Sequence, residues 1–425
     1  MTEPSLTTLI GVEIGLFRKW RSFVDGKNGF FYGIPYNARR VVKFNPVDKS
    51  LTEIGPDFGE GGYKWRCGVL ANTGSIYCTP YSANSLLKIN TIDDTVETLD
   101  DVELPETSAD GLWQSGALAP DNHIYYMPSA ANRIMRLNPA NDTLSSVGDD
   151  LGGGWKYCGI VVGNDDCLYG IPYYATRIIK YNPADDPDTT STVGEVAKRG
   201  FKCWNGVLAG DGYIYAANRA GQVLKVDTVN NNYTWIGDPI FSESEGRGWG
   251  DPIVGVDKCI YWPPLDANRV LKFDSETQQL PSLVGDDLGE TGGWKWQSGA
   301  LAATDGVIYC IPDDSTQILA IDPFKELSMT LQNFFRQHPQ ELGRLFVKDD
   351  EEYDETFYKS AVRKFGIEKV FELIEECTPL DDVEWADTHS NALPIFMVAA
   401  SCENCAASVI YYFLRRNVHA CIVGK

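Results

Sequence analysis

Three sets of chemically capable side chains recur along this 425-residue chain at nearly constant spacing. The first is aromatic: Trp20, Trp65, Trp113, Trp249 and Trp296, with Tyr157 and Trp204 slightly out of step. A lysine precedes most of them, at Lys19, Lys64, Lys156, Lys202 and Lys295. The second set is cationic: Arg40, Arg133, Arg177 and Arg269. The third is small and polar: Ser22, Cys67, Ser115, Cys158, Asn205 and Ser298, with Asp251 as its one acid. Aromatic faces attract cations through the ring quadrupole. Aromatic walls with a few convergent polar groups make a ligand pocket. The chemistry on offer is recognition.

Groups for bond-breaking chemistry are sparse. Of the 4 histidines only His123 precedes residue 324, so neither a Ser-His-Asp nor a Cys-His arrangement can be assembled there. Cys402-Glu403-Asn404-Cys405 is a lone Cys-x-x-Cys, and a structural zinc needs two further ligands that the sequence does not supply nearby. It reads as a loop with free thiols, and no cofactor, metal or catalytic residue is assigned. The 11 cysteines are an odd number spread over a long chain, which points to reduced thiols and a cytoplasmic setting.

These residues are positioned by a repeat. Tyr32, Tyr77, Tyr125, Tyr169, Tyr215, Tyr261 and Tyr309 are separated by 45, 48, 44, 46, 46 and 48 residues. Each unit reads as four short strands. The first is typified by Gly206-Val207-Leu208-Ala209. An Asp-Gly turn, as in Asp211-Gly212, is expected to supply the positive φ angles of a two-residue hairpin. The second strand carries the tyrosine and stops at a proline, as at Pro35 or Pro172. The third alternates, as in Arg269-Val270-Leu271-Lys272-Phe273, and the fourth is weaker, as in Leu51-Thr52-Glu53-Ile54. Four antiparallel strands at this period predict a mainly β fold, a seven-bladed β-propeller over residues 1–323. The seventh unit lacks a fourth strand. Ser5-Leu6-Thr7-Thr8-Leu9 stands 15 residues before Trp20, as Ser50-Leu51-Thr52-Glu53-Ile54 stands 15 before Trp65. The N-terminal segment is therefore expected to close the ring beside residues 317–322.

Residues 324–425 change to helical patterning and form a smaller α-helical region. Asp322 suits an N-cap and Pro323 a first turn, ahead of an apolar stripe at Leu327, Leu331, Phe334 and Phe335. Further helices are expected at 355–365, 367–376 and 408–416. Asp349-Asp350-Glu351-Glu352 reads as solvated.

In such a ring the three columns share one face and are expected to surround the mouth of the central channel. A residue repeated in every blade more often serves the repeat than a ligand, so the positions that break the pattern carry more information. Asp251, Arg219 in Asn218-Arg219-Ala220-Gly221, and Trp262-Pro263-Pro264-Leu265-Asp266 place the asymmetry in blades five and six. The candidate binding residues are Asp251, Asn205, Arg219, Trp65, Trp113, Trp249, Trp296, Arg40, Arg133, Arg177 and Arg269.

Gly206-Val207-Leu208-Ala209-Gly210-Asp211-Gly212-Tyr213-Ile214-Tyr215 and Asn268-Arg269-Val270-Leu271-Lys272-Phe273-Asp274 resemble the blade core of NHL and SMP-30-like propellers, over residues 5–323. Asn391-Ala392-Leu393-Pro394-Ile395-Phe396-Met397-Val398-Ala399-Ala400 resembles the opening of an ankyrin repeat, for one unit at about 391–417. Both resembled architectures commonly gather protein partners, while one propeller scaffold hosts binding platforms, lactonases and lyases alike, so the resemblance speaks for architecture more than for activity. The expected function is a non-catalytic binding or scaffold protein using the propeller face and the tail. The alternatives are a metal-dependent lactonase or lyase with Asn205 and Asp251 in its throat, and a small-ligand sensor. A net charge of -22 argues against nucleic acid and against an anionic membrane surface as partners.

Overall fold

A computed structural model describes residues 6–11, 19–104, 111–185, 189–196, 203–241, 248–289, 293–337, 356–377, 386–387 and 393–394. The chain divides into two compact units, Thr7–Ile321 and the remainder.

The larger unit contains seven four-stranded antiparallel sheets, six of them in chain order. Blade I takes Trp20–Asp25, Phe31–Pro35, Val41–Phe44 and Leu51–Ile54. Blades II to VI begin with Trp65–Leu70, Trp113–Leu118, Tyr157–Val162, Val207–Leu208 and Ile253–Val254. Blade VII takes Trp296–Leu301, Ile308–Pro312 and Ile318–Ile321, and its fourth strand is Thr7–Ile10. Thr7 lies opposite Ile321 and Ile10 opposite Ile318, so the expected closure is present. The chain is a seven-bladed β-propeller, mainly β, with a small helical region after it.

The units cannot stand singly because their apolar faces are buried against each other. Phe23, Phe31 and Phe44 of blade I pack with Tyr309, Ile311 and Ile318 of blade VII. Tyr169 and Ile171 of blade IV pack with Ile214, Ala216 and Leu224 of blade V. The seven anchoring tyrosines are at most 1% exposed. A phenol buried that deeply needs a hydrogen-bond partner, and an aspartate provides it. The Tyr169, Tyr215 and Tyr261 hydroxyls donate to Asp165, Asp211 and Asp257 at 2.9, 2.7 and 2.8 Å. A lysine from the third strand often completes the group, as Lys180 does at 2.6 Å from Asp165.

One local expectation is corrected. The Asp-Gly turns are not two-residue hairpins with two positive φ angles. Between Ala209 and Tyr213 only Gly212 is left-handed, at φ 88°. The Asp211 carboxylate accepts the Tyr213 backbone N–H on one oxygen and the Tyr215 hydroxyl on the other, and these bonds hold a wider turn. Asn122, Asp166 and Lys258 are left-handed at the matching place, which explains why glycine is not required there.

In the second unit, helices span Pro323–Gln337, Phe357–Phe365 and Ile367–Cys377. The Asp322 carboxylate accepts the Phe324 N–H at 3.0 Å, as an N-cap should. Leu327 and Leu331 of the first helix are buried, as are Val370, Leu373 and Ile374 of the third. Thr356 caps the second helix by accepting from the Lys359 N–H. Leu393–Pro394 pairs with Ala386–Asp387. The rest of the ankyrin-like stretch, Cys402 and Cys405, the 349–352 acidic run, the 408–416 helix, the Phe334 and Phe335 side chains and Lys202 lie outside what is described.

Candidate functional site at the channel mouth

The first strands of successive blades converge on a narrow polar channel. Its wall is Arg21, Ser22, Arg66, Cys67, Gln114, Ser115, Cys158, Asn205, Asp251 and Gln297, around about 20 Å³ of open space. That is room for about one water molecule. Two local features bring these residues there. In blades I, II, III, IV and VII the first strand carries a bulge just after the aromatic residue. A bulge re-aims the side chains beside it, and Arg21, Arg66, Gln114, Cys158 and Gln297 are those side chains. Glycine then lets neighbouring strands approach: a Cβ at Gly159 would lie 2.4 Å from Asn205 Oδ1, and one at Gly250 would lie 2.2 Å from the Gln297 carbonyl oxygen.

The three sequence columns separate in space. Of the third, Ser22, Cys67, Ser115, Cys158, Asn205 and Asp251 line the channel. Most described members of the other two hold the blades instead, while Trp204 stands beside the Arg66 guanidinium of the channel wall. Trp65, Trp113, Trp249 and Trp296 are at most 3% exposed. Their indole N–H groups donate to the backbone carbonyls of Ser85, Arg133, Arg269 and Gln317 at 2.8 to 3.0 Å, which pins the third strand of the same blade. The Arg40 and Arg133 guanidinium groups reach outward to the Gly55 and Gly148 carbonyls beyond the fourth strand. Arg177 stands 4.0 Å from Glu195, and Arg269 is exposed. The lysines do similar work on the glycine-rich loops. Lys156 Nζ donates to the Ala131, Gly152 and Gly154 carbonyls, and Lys295 Nζ to those of Ala267 and Gly289.

Inside the channel the charges are unequal. Arg21 Nε stands 2.9 Å from Asp313 Oδ2, both side chains being at most 2% exposed, and the guanidinium lies 4.3 Å from the Tyr36 and Trp294 ring centres. Arg66 has no such carboxylate. It is 8% exposed, sits 5.5 Å from the Trp204 ring centre, and forms no ion pair or side-chain hydrogen bond among the described residues. Its guanidinium still feels Asp251, but without direct contact. Burial pushes the Asp251 carboxyl up to about 6, against the opposing pull of Arg66, the Gln297 amide and Arg21. Gln297 Nε2 donates to Asp251 Oδ1 at 3.3 Å, and the Asp251 N–H donates to the Gln297 carbonyl at 2.7 Å. Asn205 Oδ1 accepts the Gly206 N–H. Arg219 stands 3.6 Å from Asp266. Burial also raises the Cys67 and Cys158 thiols, to about 11 and about 12, so both remain protonated.

Above the channel lies a collar of rings of which the sequence columns held only Trp204. One arm joins Tyr63 to Tyr36 at 5.0 Å, Tyr36 to Tyr81 at 5.3 Å and Tyr81 to Trp155 at 6.5 Å. The other joins Tyr174 to Tyr173 at 4.8 Å, Tyr173 to Trp204 at 4.7 Å and Trp204 to Trp294 at 5.0 Å. Arg21 touches Tyr36 within the first arm and Trp294 at the end of the second. Tyr63, Trp155 and Tyr174 are 40%, 41% and 41% exposed. A signal was present: four residues beyond each anchoring tyrosine the chain reads Tyr36, Tyr81, Ser129, Tyr173, Arg219, Leu265 and Asp313, a column that varies in every property.

No protein-family model matches this sequence, and no curated protein is similar to it. Solved structures do match. Virginiamycin B lyase from Staphylococcus aureus aligns with a TM-score of 0.58 at 14% identity, over 74% of this chain and 98% of the lyase. The RRP9 WD40 repeats align at 0.56 and 9% identity, over 74% and 97% of the two chains. YCF48 bound to a D1 peptide aligns at 0.55 and 9% identity, over 74% and 96%. These neighbours include an enzyme and binding proteins, and at such identities the likeness establishes the propeller architecture alone.

Proposed function

We propose that this chain is a non-catalytic binding module, with the aromatic collar as its docking surface for a protein partner and the helical tail as a second surface. The observation that carries the reading is the collar itself. Tyrosine and tryptophan dominate the energetics of protein interfaces, and here eight rings gather by the polar channel while three of them stay exposed. The lyase-like alternative draws less support. Among the described residues no three His, Cys, Asp or Glu side chains converge on a common point, and a hard divalent ion needs several oxygen ligands. The peptide bound by YCF48 is a property of that protein, but it illustrates that this architecture accommodates such a ligand.

The test is affinity capture from source cells with the full chain and with a Tyr63→Ala, Trp155→Ala, Tyr174→Ala variant. All three side chains are substantially exposed, so the fold should persist. The expected result is selective loss of one or a few proteins from the variant. Identical captured sets would refute the docking role of the collar.

A further inference from the structure

We infer that the channel mouth is a carboxylate-binding site, in which Arg66 receives a monoanionic group while the surrounding rings hold the apolar part of the ligand. This deepens the binding reading above, and depends on it only for the source of the carboxylate.

An arginine withdrawn from water normally keeps a carboxylate or several carbonyls around its five N–H donors, because burying an unpaired charge is costly. Arg21 follows that rule through Asp313. Arg66 is equally part of the channel wall, is buried to all but 8%, and lies over the Trp204 ring with Tyr36, Tyr81 and Asp251 near it but no carboxylate in direct contact. Its guanidinium therefore faces the channel space with no hydrogen-bond partner among the described residues. A planar carboxylate matches that fork with two parallel hydrogen bonds.

Size and charge narrow the class. The channel below Arg66 has room for about one water, about 20 Å³, so no bulky anion can descend into it. The ligand must remain in the collar and offer only a small head group. Arg66 offers one cation that Asp251 offsets only at a distance, since Arg21 is already paired with Asp313. A dianionic phosphate ester would meet Asp251 as well. The groups facing Asp251 are Arg66, Arg21 and the Gln297 amide, with the protonated Cys67 and Cys158 thiols nearby. A monoanion arriving at Arg66 competes with Asp251 for the same cation, and its arrival favours protonation of Asp251. Binding is then tighter at low pH and weakens as pH rises through about 6.

The rings supply the second half of the recognition. Tyr36, Tyr81, Tyr173 and Trp204 surround the cation, and a flat apolar group stacked among them would exclude water from the ion pair. The ligand class is thus an aromatic or apolar carboxylate, carried by a polypeptide carboxyl terminus or acidic side chain, or free in solution.

The test uses the full chain with N-acetyl-phenylalanine and its neutral amide as probes, followed by calorimetry and tryptophan fluorescence at pH 5.5 and 7.5. The carboxylate should bind at least tenfold more tightly than the amide, and more tightly at pH 5.5 than at 7.5. Arg66→Gln should abolish that preference, and Arg66→Lys should retain part of it. Should Arg66→Gln fail to fold, Asp251→Asn decides the matter: carboxylate affinity at pH 7.5 should rise several-fold. Equal binding of the two probes, binding of neither, a preference that survives Arg66→Gln, or an unchanged affinity in Asp251→Asn would each overturn the inference. Peptides ending in a free or an amidated phenylalanine, with and without an internal Glu-Phe, identify the carboxylate's source. If the collar variant captures the same proteins while the probes still discriminate, the partner reading fails and the site stands.

Discussion

Replacing Asp251 by Asn should stabilise the propeller at neutral pH and leave it almost unchanged in acid. The carboxyl titrates near 6 in the folded chain, against an ordinary value of 3.8, chiefly because burial penalises its charge. A raised carboxylate pKa means that the unfolded chain holds the charge more cheaply, so stability is lost as pH climbs from the unfolded to the folded value. The shift is about 2 pH units, and at about 1.36 kcal/mol per unit the full penalty is about 3 kcal/mol above pH 7. Near pH 4 it shrinks to about 0.5 kcal/mol. Asparagine keeps the shape and an oxygen for Gln297 but carries no charge. A propeller of about 315 residues unfolds with an entropy of about 0.66 kcal/mol/K, so Tm should rise by about 4 to 5 °C at pH 7.5 and by under about 1 °C at pH 4. Scanning calorimetry of both proteins across pH 4 to 8 measures the difference. A Tm difference that does not grow with pH, or an Asn variant less stable at pH 7.5, would refute the reasoning.

Four further outcomes follow from the geometry. Trp113→Phe removes a fully buried indole N–H that donates to the Arg133 carbonyl at 3.0 Å; urea unfolding should show a loss of about 1 to 3 kcal/mol. Thr7→Val keeps the shape of a closing-strand residue but deletes the acceptor for the Asp286 N–H at 2.9 Å, and should cost about 1 kcal/mol in the same assay. Lys156→Met releases three carbonyls of the 131–154 region, so limited proteolysis should cut the 148–155 loop faster than in the parent. Cys67 and Cys158 hold their protons to about 11 and about 12, and alkylation at pH 7.5 followed by peptide mapping should find both unlabelled until urea is added.

The architecture was legible because the residues that build it repeat. Tyr169, Asp165 and Lys180 are one copy of a chemical group that recurs around Tyr32, Tyr77 and Tyr261. The lone strand Thr7–Ile10 was legible from its 15-residue distance to the next aromatic. The site was harder to read for the converse reason. Repetition drew attention to Trp113 and Arg133, whose regularity reflects a bond to the same blade. Arg66 and Arg21 were hidden by the bulge, which aims into the channel a residue that plain alternation would assign elsewhere. Blades IV and V also place one residue fewer between aromatic and glycine, in Tyr157-Cys158-Gly159 and Trp204-Asn205-Gly206, and this shifts the columns out of alignment. Asp251 and Asn205 were found because they differ from their counterparts, and the collar tyrosines differ in the same way.

The pairing of Thr7–Ile10 with Ile318–Ile321 also has a temporal meaning. A ribosome completes the first of these segments more than three hundred residues before the second. At about 5 to 20 residues per second, the early strand waits about 15 to 60 s for its mate. During that interval six of the wedges can assemble on the emerging nascent chain, yet the circle stays open. Thr8 and Leu9, exposed even in the finished molecule, are a tolerable pair to leave idle in a crowded cell.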